Sequence, residues 1–378
     1  MTKPEKLLCE LIALPSVNPA FLPPRDPRGG EQSVAEFVAQ VATRAGLDVE
    51  FHPVLPRRAN VLARLSPLGK VQQRVLLAPH LDTVGVMEPV PDPFAPKRHG
   101  GRLHGRGACD TKGSVAAMLA ALCALAATRQ RPAHTEIVLA GLVDEESGQA
   151  GSRALVASGL KADFALVGEP TRLRVVTAHK GVLWLELETH GKAAHGARPE
   201  LGRNAVHVMA QIVELLQTDY AARLRRRKHR LLGHATINVG SIHGGCQPNI
   251  VPAECVIAID RRTLPGEKDM DVRREIRDLL RPQELSATMR NLQRGACPPL
   301  ETHPQLPWVR RLLQAMRQER PTGVDFFSDA GVLAGGGIPS VVFGPGDIAQ
   351  AHTPDEWVEV DQLTRAKDLL ASFFRSLP

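Results

Sequence analysis

The stretch LAGLVDEESG, residues 139–148, decides the fold because it joins a buried strand to a cluster of acids. The run 137–143 is continuously apolar, which is typical of a strand buried on both faces of a parallel sheet. It ends in Asp144, Glu145 and Glu146, whose carboxylates repel one another and lose hydration at a strand end. Either these acids form a surface turn, or a metal ion offsets their repulsion. With a metal, one carboxylate can ligate while its neighbour moves protons.

Other apolar runs also lead into candidate ligands. The predicted buried strands 74–78, 163–167 and 340–343 are followed by His80, Glu169 and His352. Ligands of open α/β sheets bind at the carboxyl ends of the strands, so we expect these side chains at one rim. Imidazoles and carboxylates together suit zinc-like metals. Taken singly, each residue could instead have a structural role.

Two further acids stand near this predicted rim. Asp82 lies two residues after His80, on the same face of an extended chain. Its carboxylate could fix one imidazole tautomer while the other nitrogen binds metal. Asp110 stands in the glycine-rich stretch 105–113, just before a predicted small-residue helix over 114–127. It is either a helix cap or a ligand, and the glycines indicate close backbone packing.

Composition indicates a globular protein with two domains. The chain has 378 residues, of which 43% are hydrophobic, and its net charge is +7. The basic run RLRRRKHR, residues 223–230, could bind nucleic acid. Aromatic residues make up only 4%, and no nucleic-acid motif accompanies the run. We therefore expect a solvated helix face or loop there, and no nucleic-acid partner.

The N-terminus, the apolar runs and the cysteines favour a cytoplasmic protein that does not bind a membrane. The first ten residues contain no apolar signal region. The longest apolar run, 115–127, is too short to span a bilayer. The six cysteines show no CxxC spacing, and reduced thiols are the simplest account of them.

The middle of the chain has a different pattern. It predicts strands and helices in the order β-α-β-β-α-β, over 181–189, 204–217, 235–242, 254–260, 269–280 and 285–289. That order is the ferredoxin-like arrangement. The sequence therefore predicts an α/β catalytic domain in two parts, 1–177 and 296–378, with a second domain inserted at 178–295.

The motifs together resemble one enzyme family, the co-catalytic di-zinc amidohydrolases. This family includes acetylornithine deacetylase, succinyl-diaminopimelate desuccinylase, aminoacylase and the glutamate-releasing carboxypeptidases. The resemblance covers nearly the whole chain. It is carried in the family order by PHLDTV (79–84), GRGACDTKG (105–113), DEESG (144–148), GEPT (168–171), GKAAHGARPELGRNA (191–205), PNIVPAECVIAIDRR (248–262) and GPGDIAQAHTPDEWV (344–358). Each motif is weak alone, whereas seven in order are highly specific.

The resemblance implies a ligand set for two zinc ions per subunit, with Co²⁺ or Mn²⁺ as substitutes. Asp110 would bridge the two ions. His80 and Glu169 would complete one site, and Glu146 and His352 the other.

The resemblance also assigns the residues around the metals. Glu145 would be the general acid/base, and Asp82 would support His80. In the family the peptide bond after the bridging aspartate is often cis, so a cis bond is expected after Asp110, although the sequence itself does not show it.

For the inserted domain, the resemblance implies a lid and a dimer contact, and hence a homodimer. His195 would reach the active site of the partner subunit. Asn249 and Arg261 resemble residues that hold the substrate carboxylate or the oxyanion. The catalytic domain would be zinc-peptidase-like, with a mixed, mostly parallel central sheet.

The implied reaction is hydrolysis of the amide bond of a small N-acyl amino acid. A hydroxide bridging the two metals would attack the amide carbon while Glu145 transfers the proton. The C-terminal motif looks most like that of acetylornithine deacetylase. A metallo-carboxypeptidase or dipeptidase with a dipeptide substrate is the alternative, and a binding protein that keeps the fold without catalysis is a third interpretation.

Overall fold

The computed structural model describes residues 3–86, 92–128, 130–292 and 295–378. Two compact units make up the chain. Unit 1 comprises Met1–Ala178, Glu301–Gly323 and Ser328–Pro378, and unit 2 comprises His179–Leu300 and Val324–Phe327. These bounds lie within a few residues of the predicted insertion at 178–295, with the short segment 324–327 added. The lid and dimer roles predicted for the insertion stay predictions.

Both units combine helices with strands. Within the described residues the α-helices are α1 (Pro4–Ile12), α2 (Gln32–Arg44), α3 (Lys112–Ala126), α4 (Ala150–Ala157), α5 (Ala205–Leu215), α6 (Ala221–Arg226), α7 (Asp269–Leu280), α8 (Pro307–Ala315), α9 (Asp329–Gly335) and α10 (Val360–Arg375). The strands are β1 (Asp48–Leu55), β2 (Arg58–Leu65), β3 (Gln73–Pro79), β4 (Lys97–His99), β5 (Arg102–His104), β6 (Thr135–Gly141), β7 (Phe164–Gly168), β8 (Val176–His179), β9 (Gly181–His190), β10 (Lys228–His229), β11 (Gly233–His234), β12 (Thr236–Gly244), β13 (Glu254–Thr263), β14 (Thr288–Asn291), β15 (Leu300–Glu301), β16 (Thr322–Val324), β17 (Ser340–Val342) and β18 (Trp357–Glu359).

The main sheet of unit 1 is mixed with a parallel centre, as predicted. Its order is β1-β2-β6-β3-β7-β17-β8-β15, with β16 beside β8. β3 pairs in parallel with β6 and β7, and β7 pairs in parallel with β17. The flanking pairs β1–β2, β2–β6 and β8–β17 are antiparallel. The carboxyl ends of β3, β6, β7 and β17 therefore lie at one edge, which is where the candidate ligands follow.

The centre of this sheet is buried on both faces. Every residue of β6 and β7 is buried, which explains why these strands are apolar without alternation. α3 contacts α1 and α10, and all but two of its residues are buried. Its alanines let neighbouring helices and the sheet approach from several sides.

Unit 2 contains an antiparallel sheet in the order β12-β13-β9-β14. Apart from α6 and the short strands β10 and β11, the chain order β9, α5, β12, β13, α7, β14 is the β-α-β-β-α-β order that the sequence predicts. Buried and partly exposed residues alternate along β9 and β13, because the helices cover one face only.

Several short elements do not follow from the sequence pattern. A small sheet joins β18, β5 and β4, and α8 and α9 were also not predicted. The basic run 223–230 covers the end of α6 and the strand β10, and Arg223, Arg225 and Arg226 are exposed there, as a solvated helix face requires. Among the described residues, no helix combines the length and apolar character that a membrane crossing requires.

Candidate metal centre

Five predicted ligands lie together in unit 1. His80 follows β3, Glu146 lies beyond the end of β6, and Glu169 follows β7. Asp110 lies just before α3, and His352 lies in the loop between β17 and β18. Parallel pairing of β3 with its neighbours explains how residues far apart in sequence meet at one edge.

The first group of potential ligands is buried. His80 Nε2 lies 3.0 Å from Asp110 Oδ1 and 3.8 Å from Glu169 Oε1. The side chain of His80 is only 1% exposed. Its Nδ1 lies 2.9 Å from the backbone oxygen of Asp82 and 3.5 Å from that residue's Oδ1. We call His80, Asp110 and Glu169 the buried subsite.

The second group uses the other oxygen of Asp110. His352 Nε2 lies 3.3 Å from Asp110 Oδ2 and 3.2 Å from Glu146 Oε2. The side chain of His352 is 54% exposed. We call Asp110, Glu146 and His352 the open subsite. Asp110 thus faces two neighbouring groups with one oxygen each, which is the arrangement that a bridging ligand requires.

The donor atoms of each subsite are close enough to hold a cation. In both groups one donor atom per residue lies within 4.8 Å of the others. Glu146 Oε1 and Glu169 Oε1 are buried, and within the described part of the chain neither has a hydrogen-bond partner. Buried oxygens without partners destabilise a fold unless a bound group satisfies them. The imidazole and carboxylate set therefore fits two zinc-like ions.

The electrostatics of the centre also require positive charge. Burial, together with the Asp110 charge, raises the pKa of Glu146 to about 7. Burial likewise raises the pKa values of Glu145 and Glu169 well above the usual range. Hydrogen bonds to Asp110 and Glu146 raise the pKa of His352 to about 10. The carboxylates thus outnumber the imidazoles that can neutralise them.

Glu145 is buried beside the ligands, with 6% of its surface exposed. Its backbone N–H donates to Asp82 Oδ1 at 3.1 Å, and the N–H of Glu146 donates to Asp82 Oδ2 at 3.1 Å. One carboxylate, that of Asp82, therefore contacts the His80 ring and fixes the turn carrying both glutamates.

A carboxylate that the sequence analysis left unassigned holds the loop before α3. Glu356 is buried and accepts hydrogen bonds from the N–H groups of Gly107, Cys109 and Asp110, each at 2.9 Å. Arg106 Nη1 also donates to Glu356 Oε2 at 2.7 Å. The peptide bond between Asp110 and Thr111 is cis, as the resemblance implies. Glu356 lies four residues after His352, within the motif GPGDIAQAHTPDEWV (344–358), and this position could have marked it as part of the site.

Asp329 is a second buried acid that the sequence analysis missed. Ser152 Oγ donates to Asp329 Oδ1 at 2.5 Å. Burial raises the pKa of Asp329 to about 7, and its charge contributes to the raised pKa values of Glu145 and Glu169. Asp329 is the first residue of α9 and does not follow an apolar strand. The pattern that marked the other acids in the sequence is therefore missing there.

The substrate-binding candidates lie in unit 2. His195 and Asn249 are exposed, and the N–H of Gly196 donates to the Asn249 carbonyl oxygen at 2.7 Å. The backbone therefore places these two residues side by side. His195 Nδ1 accepts the N–H of Ala197 at 3.1 Å.

Arg261 has a different environment from the one predicted. Its side chain is fully buried, with Nη2 at 2.7 Å from Glu267 Oε1 and Nε donating to the Tyr220 hydroxyl at 3.3 Å. Because strand side chains alternate, Arg262 lies on the opposite face of β13, 29% exposed and paired with Asp260. The Arg261 guanidinium is thus enclosed by the protein, whereas that of Arg262 is partly accessible to solvent.

The sequence of this chain is similar to those of known enzymes. The profile of peptidase family M20/M25/M40 matches residues 76–376. An acetylornithine deacetylase from Edwardsiella ictaluri (strain 93-146) is 32% identical over 334 residues, covering 86% of this chain and 85% of that protein. An acetylornithine deacetylase from Myxococcus xanthus is 33% identical over 325 residues, covering 83% of each.

Solved structures share the fold at lower identity. An M20-family metallo-carboxypeptidase from Sulfolobus solfataricus has a TM-score of 0.79 at 19% identity, covering 99% of both chains. A dinuclear metal-binding peptidase of the M20 family from Bacillus subtilis has a TM-score of 0.72 at 14% identity, covering 98% of this chain and 96% of that one. With the family profile matching most of its length, the chain belongs to peptidase family M20/M25/M40 and is a metal-dependent amidohydrolase.

Proposed function

We propose that this protein is a di-zinc deacylase that hydrolyses the amide bond of small N-acyl amino acids. The observation that carries the proposal is the meeting of His80, Glu169, Glu146 and His352 around Asp110, with Glu145 buried beside them. The two acetylornithine deacetylases, which align with more than four-fifths of the chain, support this substrate class over a dipeptide.

The ligand assignment follows the distances. Asp110 would contribute Oδ1 to the buried subsite and Oδ2 to the open subsite, and the remaining ligands would complete each site. Zinc is favoured because both subsites combine imidazole nitrogen with carboxylate oxygen, and Co²⁺ or Mn²⁺ accept similar donors. When bound, such ions lower the pKa of water toward about 7 and polarise the amide carbonyl.

The residues of the chain would perform the proton transfer and the positioning. Glu145 would accept a proton from the attacking water and deliver it to the leaving nitrogen. Asp82 fixes the His80 ring and the backbone of Glu145, so neither has to reorganise during the reaction.

Unit 2 would supply contacts to the substrate. His195 and Asn249 are exposed and adjacent, which suits them to hydrogen-bond an oxyanion or a carboxylate. Arg262 replaces Arg261 in the proposal because it is partly exposed, and its guanidinium would exchange Asp260 for a substrate carboxylate held through two parallel hydrogen bonds. A homodimer through this unit, its closure as a lid and a cytoplasmic location are carried over from the sequence analysis. Sedimentation of the purified protein tests the dimer.

A substrate panel with metal analysis on the same sample tests the proposal. N-acetylornithine, N-succinyl-diaminopimelate, an acyl-glutamate and a dipeptide would be compared on protein loaded with zinc. We expect the N-acyl amino acids to be turned over and two zinc ions to be bound per subunit. Preferred turnover of the dipeptide would replace the deacylase by a peptidase. Full metal loading without any turnover would remove the substrate class.

The variant Glu145→Gln tests the proton transfer. We expect hydrolysis to fall by about 10²–10⁴-fold, the usual contribution of a general acid/base, while zinc content stays unchanged. Glu136→Gln is the matched control, because Glu136 is also a buried glutamate but lies at the start of β6, away from the acidic turn that follows this strand. Unchanged hydrolysis in Glu145→Gln would exclude the residue from this role.

A further inference from the structure

A buried ion pair lies behind the acidic turn, in residues that the catalytic assignment does not use. Glu31 immediately precedes α2, and Arg58 begins β2. Arg58 Nε donates to Glu31 Oε2 at 2.7 Å, and Arg58 Nη2 donates to Glu31 Oε1 at 2.6 Å. The Glu31 side chain is fully buried, and that of Arg58 is 11% exposed. This fork geometry is the strongest form of a carboxylate–guanidinium pair.

Both members of the pair also hold Asp144. Arg58 Nη1 lies 3.0 Å from Asp144 Oδ1. The N–H of Asp144 donates to Glu31 Oε1 at 3.1 Å. Asp144 has a φ of +71°, in the left-handed region that non-glycine residues rarely adopt. Its side chain and its backbone are thus fixed by the same pair in a conformation that needs support.

The hydrogen bonds continue from Asp144 to the catalytic turn. Asn18 Nδ2 donates to Asp144 Oδ1 at 3.1 Å and to Asp82 Oδ2 at 2.8 Å. The Asp82 carboxylate in turn accepts the N–H groups of Glu145 and Glu146. Three successive backbone N–H groups, at 144, 145 and 146, therefore end on the carboxylates of Glu31 and Asp82.

We infer that the Glu31–Arg58 pair positions the general base and one metal ligand by fixing the backbone of residues 144–146. Arg58 compensates two buried carboxylates, those of Glu31 and Asp144. Without Arg58, the carboxylates of Glu31 and Asp144 would lose this counter-charge. Their repulsion from each other and from the nearby Asp82 carboxylate would then release the turn at 144–146. Arg58 is thus a positioning residue that acts through Asp144 and touches neither substrate nor metal.

The Glu145 part of this inference rests on the proposed function, whereas the Glu146 part requires only that the open subsite binds a cation. Amide hydrogen exchange of the metal-free protein and zinc titration by calorimetry therefore measure positioning independently of hydrolysis. Absence of turnover in the unmodified protein would refute the proposed function and leave both measurements decisive for Arg58.

Arg58→Ala tests the inference. We expect faster amide exchange at 144–146 and weaker zinc binding at the open subsite by about 10–100-fold, the loss typical of removing an outer partner of a ligand. The kcat should fall by a similar factor while KM changes less than about twofold, because an interaction that matters only to the transition state is lost. Millimolar guanidinium should restore part of the exchange protection and of kcat by filling the vacated site.

Arg74→Ala is the matched control. Arg74 forms an ion pair with buried Glu136 and donates to the Lys161 carbonyl oxygen at 2.8 Å, at the end of β3 remote from His80. It should lower stability without changing exchange at 144–146 or zinc affinity. If Arg58→Ala behaves like Arg74→Ala in both measurements, the pair only stabilises the fold and the inference is wrong.

Arg58→Lys keeps the test decisive if the alanine variant does not fold. Lysine retains the charge but cannot form the two parallel bonds to Glu31 and the third to Asp144 at once. We expect a folded protein with intermediate exchange at 144–146 and an intermediate loss of kcat. Exchange and zinc affinity equal to those of the unmodified protein would overturn the inference.

Discussion

The two subsites share Asp110 but differ in how the protein surrounds the other ligands. In the buried subsite the His80 side chain is 1% exposed and its second nitrogen faces Asp82. In the open subsite His352 is 54% exposed and has a φ of +60° in a loop. One imidazole is fixed by the sheet and by a carboxylate, and the other by a surface segment. A rigid ligand binds more tightly because less conformational freedom is lost.

This difference has a functional meaning. A tightly held cation in the buried subsite would be a permanent part of the fold, since it would neutralise carboxylates that are almost fully buried. A cation in the open subsite would lie where substrate and solvent arrive. We therefore expect the two cations to differ in affinity and in exchange rate, although their ligands have the same chemistry.

Asp110→Asn should have the largest effect, because it changes both subsites at once. An amide has one oxygen and no charge, so it cannot give a carboxylate oxygen to each cation. We expect zinc binding to weaken by more than about a hundredfold at both subsites, beyond the loss from removing an outer partner. Zinc calorimetry and metal analysis measure this. Loss of only one zinc per subunit would show that Asp110 does not bridge.

His80→Ala and His352→Ala separate the subsites. Removing His80 leaves buried Asp110, Asp82 and Glu169 without their counter-charge, so the metal-free protein should lose about 3–5 kcal/mol of unfolding free energy. Removing His352, which is half-exposed but bonded to buried Asp110 and Glu146, should lower the unfolding free energy by less than removing His80 does. Urea unfolding in the presence of a chelator measures the unfolding free energy of both variants. Equal losses would contradict the difference in burial.

The same two variants should also differ in metal content. His352→Ala should keep one zinc per subunit, held by the buried subsite. His80→Ala should bind zinc weakly at both, because the loss of the buried cation leaves Asp110 and Glu169 repelling each other. A single zinc retained equally by the two variants would mean that the subsites are equivalent.

Asp82→Asn should have a smaller and selective effect. The amide can still accept one hydrogen bond from the turn, but the charge beside the His80 ring is lost. We expect zinc affinity at the buried subsite to fall by about 10–100-fold. The open subsite should weaken less, since Asp82 reaches it only through the backbone N–H of Glu146, and the amide oxygen can keep that hydrogen bond. Site-resolved cobalt spectra would distinguish the two subsites.

The smallest expected effect is a difference in the rate at which a chelator removes zinc from the two subsites of the unmodified protein. A mild chelator should remove the zinc of the open subsite first, giving two kinetic phases of metal release. The exposed His352 imidazole leaves the open subsite accessible to the chelator, whereas the protein around the buried subsite must open before the chelator can reach it. A single phase releasing both ions together would contradict unequal accessibility.

Much of this centre could be predicted from the sequence because its ligands follow strands with strong patterns. The apolar runs before His80, Glu145 and Glu169 lie on β3, β6 and β7 within about two residues of the predicted bounds. The bounds of α7, Asp269–Leu280, are those predicted. A buried parallel strand has a continuous apolar signature, and a helix packed on one side has a periodic one, so neither depends on distant partners.

Other features could not be predicted because their cause lies elsewhere in the chain. β5 has three residues and pairs with β18, more than 250 residues away, so no local pattern marks it. The predicted helix 204–217 ends as α5 at Leu215, but a π-helical turn and α6 continue it to Arg226. Arg261 and Arg262 are chemically identical, and only the register of β13 decides which one is buried.

The sequence by itself determined the buried strands, the acids and imidazoles that follow them, and the family of the chain. These properties depend on neighbouring residues, through hydrophobic periodicity and short motifs. Only the tertiary structure decided that His80 is enclosed while His352 is half-exposed, and that Glu31, Arg58 and Glu356 support the ligands. Burial and pairing between distant segments arise when the sheet assembles, and they set the electrostatics of each carboxylate.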